Sequence, residues 1–278
     1  MDIERTSRAV VTVRFKDVAA GWEKWILLRS DAHHDSPKCD RKLEKQHLDE
    51  MIYRDGAWAD FGDLFDAMQG KFDPRRDLDE LRPEDKVQDY YDSIVRHAAE
   101  FYEPYADRCI MLGVGNHESA TLKNANTHLT SNLSHRLGGS LVGCYGGWIR
   151  FCFTFNKTKT KQVRLRYFHG AGGAAPVTKG VIQTNRQAVF LPDANIVING
   201  HNHQSYILPL VRDRLTERGK QYKDEQLHGR IPGYKDDYGD GTGGYAVEKG
   251  MAPGSLGALW LHFKYRQDSI GYGLTLTD

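Results

Sequence analysis

Five short stretches of this 278-residue sequence carry side chains that bind metals or move protons. They are Asp31-Ala32-His33, Gly62-Asp63-Leu64-Phe65-Asp66, Gly115-Asn116-His117-Glu118, the single His169 and Gly200-His201-Asn202-His203. Their donors are carboxylate, imidazole and amide, with no thiolate, a mixture that suits borderline to hard divalent metals such as manganese, iron or zinc. Seven candidate ligands, Asp31, His33, Asp63, Asn116, His169, His201 and His203, are too many for one tetrahedral zinc. They match two ions of higher coordination sharing one carboxylate, and two ions about 3.5 to 4 Å apart clamp phosphorus during in-line displacement. A lone Gly-Asp is a turn and a lone His-x-His commonly decorates a surface. Five such motifs in one chain are a constellation.

These motifs need rigid elements to hold them. The apolar run Cys109-Ile110-Met111-Leu112 stops at glycines and delivers Asn116, His117 and Glu118, which reads as a buried strand with chemistry at its C-terminal end. Ligands bind at that end in open α/β sheets. Lys24 to Leu28 reads as a strand leading into Asp31 and His33, two positions apart and pointing the same way while the chain stays extended. Trp58 to Asp66 reads as a second strand end, and Asn195 to Asn199 as another that delivers His201 and His203. Val10 to Phe15, Trp148 to Phe155, Val163 to His169, Ser205 to Val211 and Ala258 to Tyr265 also read as strands, the last two closing a second sheet. Helical spacing predicts helices over about 40 to 54, from Pro83 through Ala98, from His117 to Leu137 ended by Gly138 and Gly139, and over 178 to 189. Residues 68 to 82 read as an insertion beside the site, and the glycine-rich stretch of about 229 to 257 as a loop. One domain over 1 to 278 is expected.

Composition narrows the class. A hydrophobic fraction of 40% with 27% charged residues is that of a globular protein, and the apolar runs are too short to span a bilayer. The N-terminus lacks a basic patch followed by an apolar core, so a cytoplasmic location is expected. Four scattered cysteines, without a C-x-x-C pair, read as buried thiols. A formal charge of +1 offers no global field for nucleic acid or membrane. Two local basic patches remain, Lys157 to Arg166 and Arg212 to Lys223.

Taken in order, D-x-H, G-D, G-N-H-[DE], H and G-H-x-H resemble the pattern of the calcineurin-like metallophosphoesterase superfamily, matched here from Asp31 to His203. The resemblance implies an α/β fold, a four-layer α/β/β/α sandwich with a dimetal site at the C-terminal ends of the strands. It implies that Asp31, His33, Asp63 and His203 hold one metal, while Asp63, Asn116, His169 and His201 hold the other. It further implies that His117 faces the leaving group and that Asp66 orients it. The ions expected are two divalent metals, manganese first, with iron, zinc or nickel as alternatives. The reaction implied is hydrolysis of a phosphoester, a phosphodiester in particular, by in-line attack of a metal-bridging hydroxide. Arg75 and Arg76 are candidates for phosphate binding. Gly-Asp-Leu-Phe-Asp is also similar to the second motif of SbcD-type nucleases, which makes DNA or RNA an alternative substrate, and the compact length resembles phage-type members. A reading of another class is a catalytically silent scaffold on the same fold. The expected partner is a phosphoester, nucleotide or nucleic acid included, with no membrane.

Overall fold

The computed structural model describes every residue except 70–80, 156–158, 174–176, 240–244, 249, 251 and 268. Arg75, Arg76 and most of the 68–82 insertion lie outside the described residues. Among the described residues twelve strands form two sheets. The five-stranded sheet contains β3 (Glu23–Arg29), β4 (Ala57–Asp60), β5 (Cys109–Leu112), β11 (Leu259–Arg266) and β12 (Ser269–Leu276) in the order β12-β11-β3-β4-β5. The seven-stranded sheet contains β1 (Asp2–Ser7), β2 (Val10–Phe15), β6 (Gly146–Phe155), β7 (Lys159–Phe168), β8 (Ile196–Asn199), β9 (Tyr206–Leu215) and β10 (Gln221–Arg230), ordered β1-β2-β6-β7-β8-β10-β9.

Period-two alternation places the layers. On β3, Ile26 and Leu28 turn inward to meet Val13, Phe151, Leu165 and Ile198 of the other sheet. Leu27 turns outward, beneath α1 (Arg41–Tyr53), α2 (Tyr90–Tyr102) and α4 (Leu129–Arg136), which bury Leu48, Ile94 and Leu133 with it. Burial of each such side chain is worth about 1.5–3 kcal/mol. On the far side α5 (Val181–Phe190) covers the seven-stranded sheet, with Gln187 exchanging two amide hydrogen bonds of 2.9 and 3.0 Å with Asn199. The result is the α/β/β/α order that the motif resemblance implies.

Several sequence expectations change. The strand at Ala258–Tyr265 does not close the second sheet: β11 pairs antiparallel with β3 in the first, Leu261 opposite Ile26. An apolar run announces a buried strand but not its sheet. Strands β1, β10 and β12 escape the pattern, β10 because it begins with the polar run Gln221–Gln226. Gly229 and Arg230, assigned by sequence to a loop, are its last two residues. Pro83–Asp85 forms only a short 3-10 turn, and α2 begins at Tyr90. Asp85 is buried there, accepting from Ser93 Oγ at 2.8 Å and lying 2.9 Å from His97 Nδ1. The predicted helix from 117 to 137 is two, α3 (Asn116–Ala125) and α4, broken where Asn126 adopts a left-handed φ of 50° and His128 accepts from Ser131 N.

One buried cation ties the layers at the site end of β3. The guanidinium of Arg29, fully buried, lies 2.5 Å from Glu44 of α1 and 2.9 Å from the Tyr102 hydroxyl of α2, among the rings of Trp58, Tyr102 and Tyr234. Truncating either charge would strand the other away from water.

Candidate metal centre

Strands β3, β4 and β5 run parallel, as do β7 and β8, and each ends at a predicted ligand. Beyond β3 come Asp31 and His33, beyond β4 Asp63, beyond β5 Asn116 at the first turn of α3, beyond β7 His169, and beyond β8 His201 and His203. Asp31 and His33 do not converge by extended alternation. Both are left-handed, with φ of 54° and 46°, as are Asp63 (52°), His201 (76°) and His203 (51°). Such conformations cost free energy in non-glycine residues and gather at functional sites.

Ligand atoms of Asp31, His33 and His203 lie within 4.8 Å of one another, and so do those of Asp63, His169 and His201. Asp63 also groups with His33 and His117, so it stands between the two halves. His169 Nε2 is 3.1 Å from both Asp63 Oδ2 and Asn116 Oδ1. Asp31 accepts from the His201 amide at 2.8 and 3.0 Å. Two glycines let the loops close this tightly. A Cβ on Gly115 would stand 2.1 Å from Asp63 Oδ1, and one on Gly200 2.3 Å from Asp31 Oδ2.

The donor set fits divalent metal. His33 Nε2 and His201 Nδ1 are buried without a hydrogen-bond partner among the described residues. Asp31 and Asp63, 0% and 2% exposed, are bridged only by histidines among the described residues. Buried charge demands compensation. Burial opposes ionisation of Asp63, yet the imidazoles of His117 and His169 hold its pKa far below the usual carboxylate range. Burial likewise opposes the His169 imidazolium, but Asp63 and Asp31 push its pKa up to about 10. A divalent cation would supply that compensation with more charge, displacing the proton.

His117 and Asp66 meet differently from expectation. The Asp66 carboxylate is 2.7 Å from His33 Nδ1 and 3.0 Å from Lys235 Nζ, both at Oδ1. Its nearest approach to His117 Nδ1 is 3.9 Å, whereas the Asp66 main-chain oxygen lies 2.5 Å from that nitrogen. Burial disfavours the Asp66 anion, but Lys235 and then His33 hold it well below the usual range.

Three supporting residues went unassigned or unnoticed in the sequence. Glu118 accepts from the amides of Gly115 (2.8 Å), Asp63 (3.0 Å) and Phe65 (3.0 Å), clamping two motifs together. Burial, followed by the charge on Asp63, pushes its pKa up to about 7. Asp35 accepts from the amides of Asp66 and Ala67 and from the Tyr90 hydroxyl. Lys235 follows β10, which runs parallel to β8 and so delivers its end to the same edge. Its segment is pinned by Tyr234 N to Asp31 O at 3.0 Å and Asp236 N to Lys38 O at 2.9 Å. The third motif's acidity gave a signal for Glu118; nothing local marked Lys235.

A further group of donors, His34, Cys39 and Glu44, is buried as well. Glu44 is already engaged by Arg29, Tyr102 and His34, so this cluster is a hydrogen-bonded support.

No protein-family model matches the sequence, and no curated protein matches it. Solved structures similar to it include a predicted phosphoesterase from Streptococcus pneumoniae, with 12% identity over 92% of this chain and 91% of that one, TM-score 0.34. Zinc-complexed Vps29 from Entamoeba histolytica is 9% identical over 91% of this chain and 98% of its own, TM-score 0.37. Vacuolar Protein Sorting 29 from Cryptosporidium parvum is 10% identical over 92% and 98%, TM-score 0.35. At such identities and TM-scores these likenesses carry no functional argument. The converging side chains must carry it. No helix among the described residues is long and apolar enough to cross a membrane.

Proposed function

We propose that the chain is a calcineurin-like metallophosphoesterase that hydrolyses a phosphoester, a phosphodiester in particular, with two divalent metals, manganese first among them. The observation that carries this reading is Asp63 standing between two sets of donors, Asp31, His33 and His203 on one side and His169 and His201 on the other. Two bound ions would stabilise charge on the phosphoryl oxygens and supply a nucleophile at neutral pH. Asn116, at the start of α3, joins the His169 side. Asp66 orients His33 through Nδ1, leaving Nε2 toward the centre. His117, its Nδ1 turned to the Asp66 carbonyl, holds the transferable proton at Nε2 and gives it to the departing alkoxide.

Nucleic acid as substrate gains little from the basic patches. Arg212 and Arg214 pair with Asp224, and Arg164 with Asp193, so these cations are partly spent within the sheet. The scaffold reading has against it that every predicted ligand takes part in the convergence.

The test is a manganese-loaded preparation assayed on bis(p-nitrophenyl) phosphate, phosphomonoesters, cyclic nucleotides and DNA. Hydrolysis abolished by chelation and restored by manganese is the expected result. Absence of turnover on the whole panel, with metal bound, would leave the scaffold reading standing.

A further inference from the structure

Arg230 is 2% exposed, yet no carboxylate pairs with it among the described residues. Arginine is seldom buried without an ion partner, because a desolvated guanidinium is costly. Its Nη1 donates to the Gly200 carbonyl at 2.9 Å, its carbon lies 5.8 Å from the Tyr206 ring centroid, and Nε has no hydrogen-bond partner. Nη2 points at the start of α5: a Cβ on Gly180, the N-cap, would lie 3.1 Å from it and 3.3 Å from Asn202 Nδ2.

That helix start is itself electropositive. No side chain caps α5 and its first turn holds no acid. Val181 N donates to Thr178 O and Gln183 N to Gly180 O, which leaves the Ile182 amide without a partner among the described residues, and that amide and the helix dipole favour an anion there. A buried cation aimed at a helix N-terminus sets two positive features against each other, with the Asn202 amide nitrogen as a third donor. An oxyanion between them would reconcile all three. The position is also where ligands gather in α/β folds: α5 joins the parallel strands β7 and β8, and its N-terminus lies at their C-terminal ends. Asn202 sits between His201 and His203, so the anion would lie beside the metal centre.

We infer that Arg230, Asn202 and the N-terminus of α5 form a phosphate-binding subsite. Its occupant is a phosphate group, either a second phosphate of the substrate or free inorganic phosphate. The subsite itself stands apart from the proposed hydrolysis; only the substrate source rests on that reading.

The experiment has two arms. In the first, inorganic phosphate is titrated calorimetrically into chelator-treated protein, so that metal-bound phosphate does not contribute. Saturable binding is expected in the wild type. It should weaken at least about tenfold in Arg230→Met, as loss of a charge-assisted contact implies. Gly180→Asp, which sets a carboxylate against Arg230, should abolish it. Circular dichroism of both variants establishes that they are folded. Equal phosphate affinity in wild type and both folded variants, or no binding to the wild type, overturns the subsite. In the second arm, manganese-loaded wild type and Arg230→Met are compared on bis(p-nitrophenyl) phosphate and on the p-nitrophenyl ester of thymidine 5′-phosphate bearing a 3′-phosphate. A rise in KM confined to the second compound assigns the subsite to substrate. An unchanged KM ratio, with phosphate binding lost in the first arm, assigns it to free phosphate. If the enzyme turns over neither compound, the first arm still decides the subsite while the hydrolytic reading fails.

Discussion

His117 Nδ1 lies 2.5 Å from the main-chain oxygen of Asp66. A carbonyl oxygen can only accept, so Nδ1 bears the hydrogen and Nε2 is the atom at which a proton can be held or given. The carboxylate of the same residue serves His33 instead. One aspartate therefore orients two imidazoles by different parts of itself, and the two jobs are separable by mutation.

His117→Ala removes the proton donor and none of the predicted ligands. Metal content, measured by elemental analysis, should match the wild type, while kcat falls by about 10²–10⁴. Loss of metal from this variant would make His117 a ligand.

Asp66→Asn keeps the carbonyl that His117 uses and alters the group that holds His33. Manganese affinity should weaken by about 10–100-fold, the usual consequence of disturbing a ligand's outer partner. Were affinity unchanged and only the pH–rate profile altered, the carboxylate would belong to His117 after all.

Metal binding should release a proton. His169 holds one up to about pH 10, because the two neighbouring carboxylates outweigh the opposing effect of burial. At about pH 8 manganese must displace it, so affinity should rise with pH toward 10. Calorimetry in buffers of differing ionisation enthalpy should count about one proton released per His169 site filled. Independence from buffer would contradict this.

Asp60 predicts a pH-dependent stability. Burial pushes its pKa up to about 7, against the opposing pull of Arg29. The folded state thus keeps a proton that the unfolded chain sheds near its ordinary value of 3.8. Its contribution is complete below about pH 4 and is lost as pH rises through about 7. The unfolding free energy of the wild type relative to Asp60→Asn should therefore fall by about 2–4 kcal/mol between those limits. Urea denaturation of both proteins at the two ends of the window measures it, and a difference that rises with pH would refute the assignment.

The five motifs were legible because each pairs a chemical residue type with the end of an apolar strand, and the strands that carry them were legible for the same reason. What converges was not. Nothing in Asp31-Ala32-His33 reveals that both outer residues are left-handed, since αL is imposed by the loops pressing around them. Glu118 read as an acid at a helix start, a reading true of its position and silent about the three amides it holds. Lys235 was invisible because β10 starts with polar residues and its end meets β8 only across the fold. Arg230 reads in sequence as part of a glycine-rich loop; its place at the end of β10 and its burial without a carboxylate are facts of three dimensions.

Gly115 closes on Asp63, and Gly200 on Asp31. Each pair joins loops that are far apart in the chain, so neither loop has a shape of its own to fall back on. A half-assembled chain would then hold single imidazoles and carboxylates but no pair of facing cavities. Metal affinity in this protein becomes a gauge of assembly: partial folding should register as loss of metal before it registers as loss of secondary structure. The same interlock restrains change over time, because a larger residue in one loop would have to wait for a compensating shift in another.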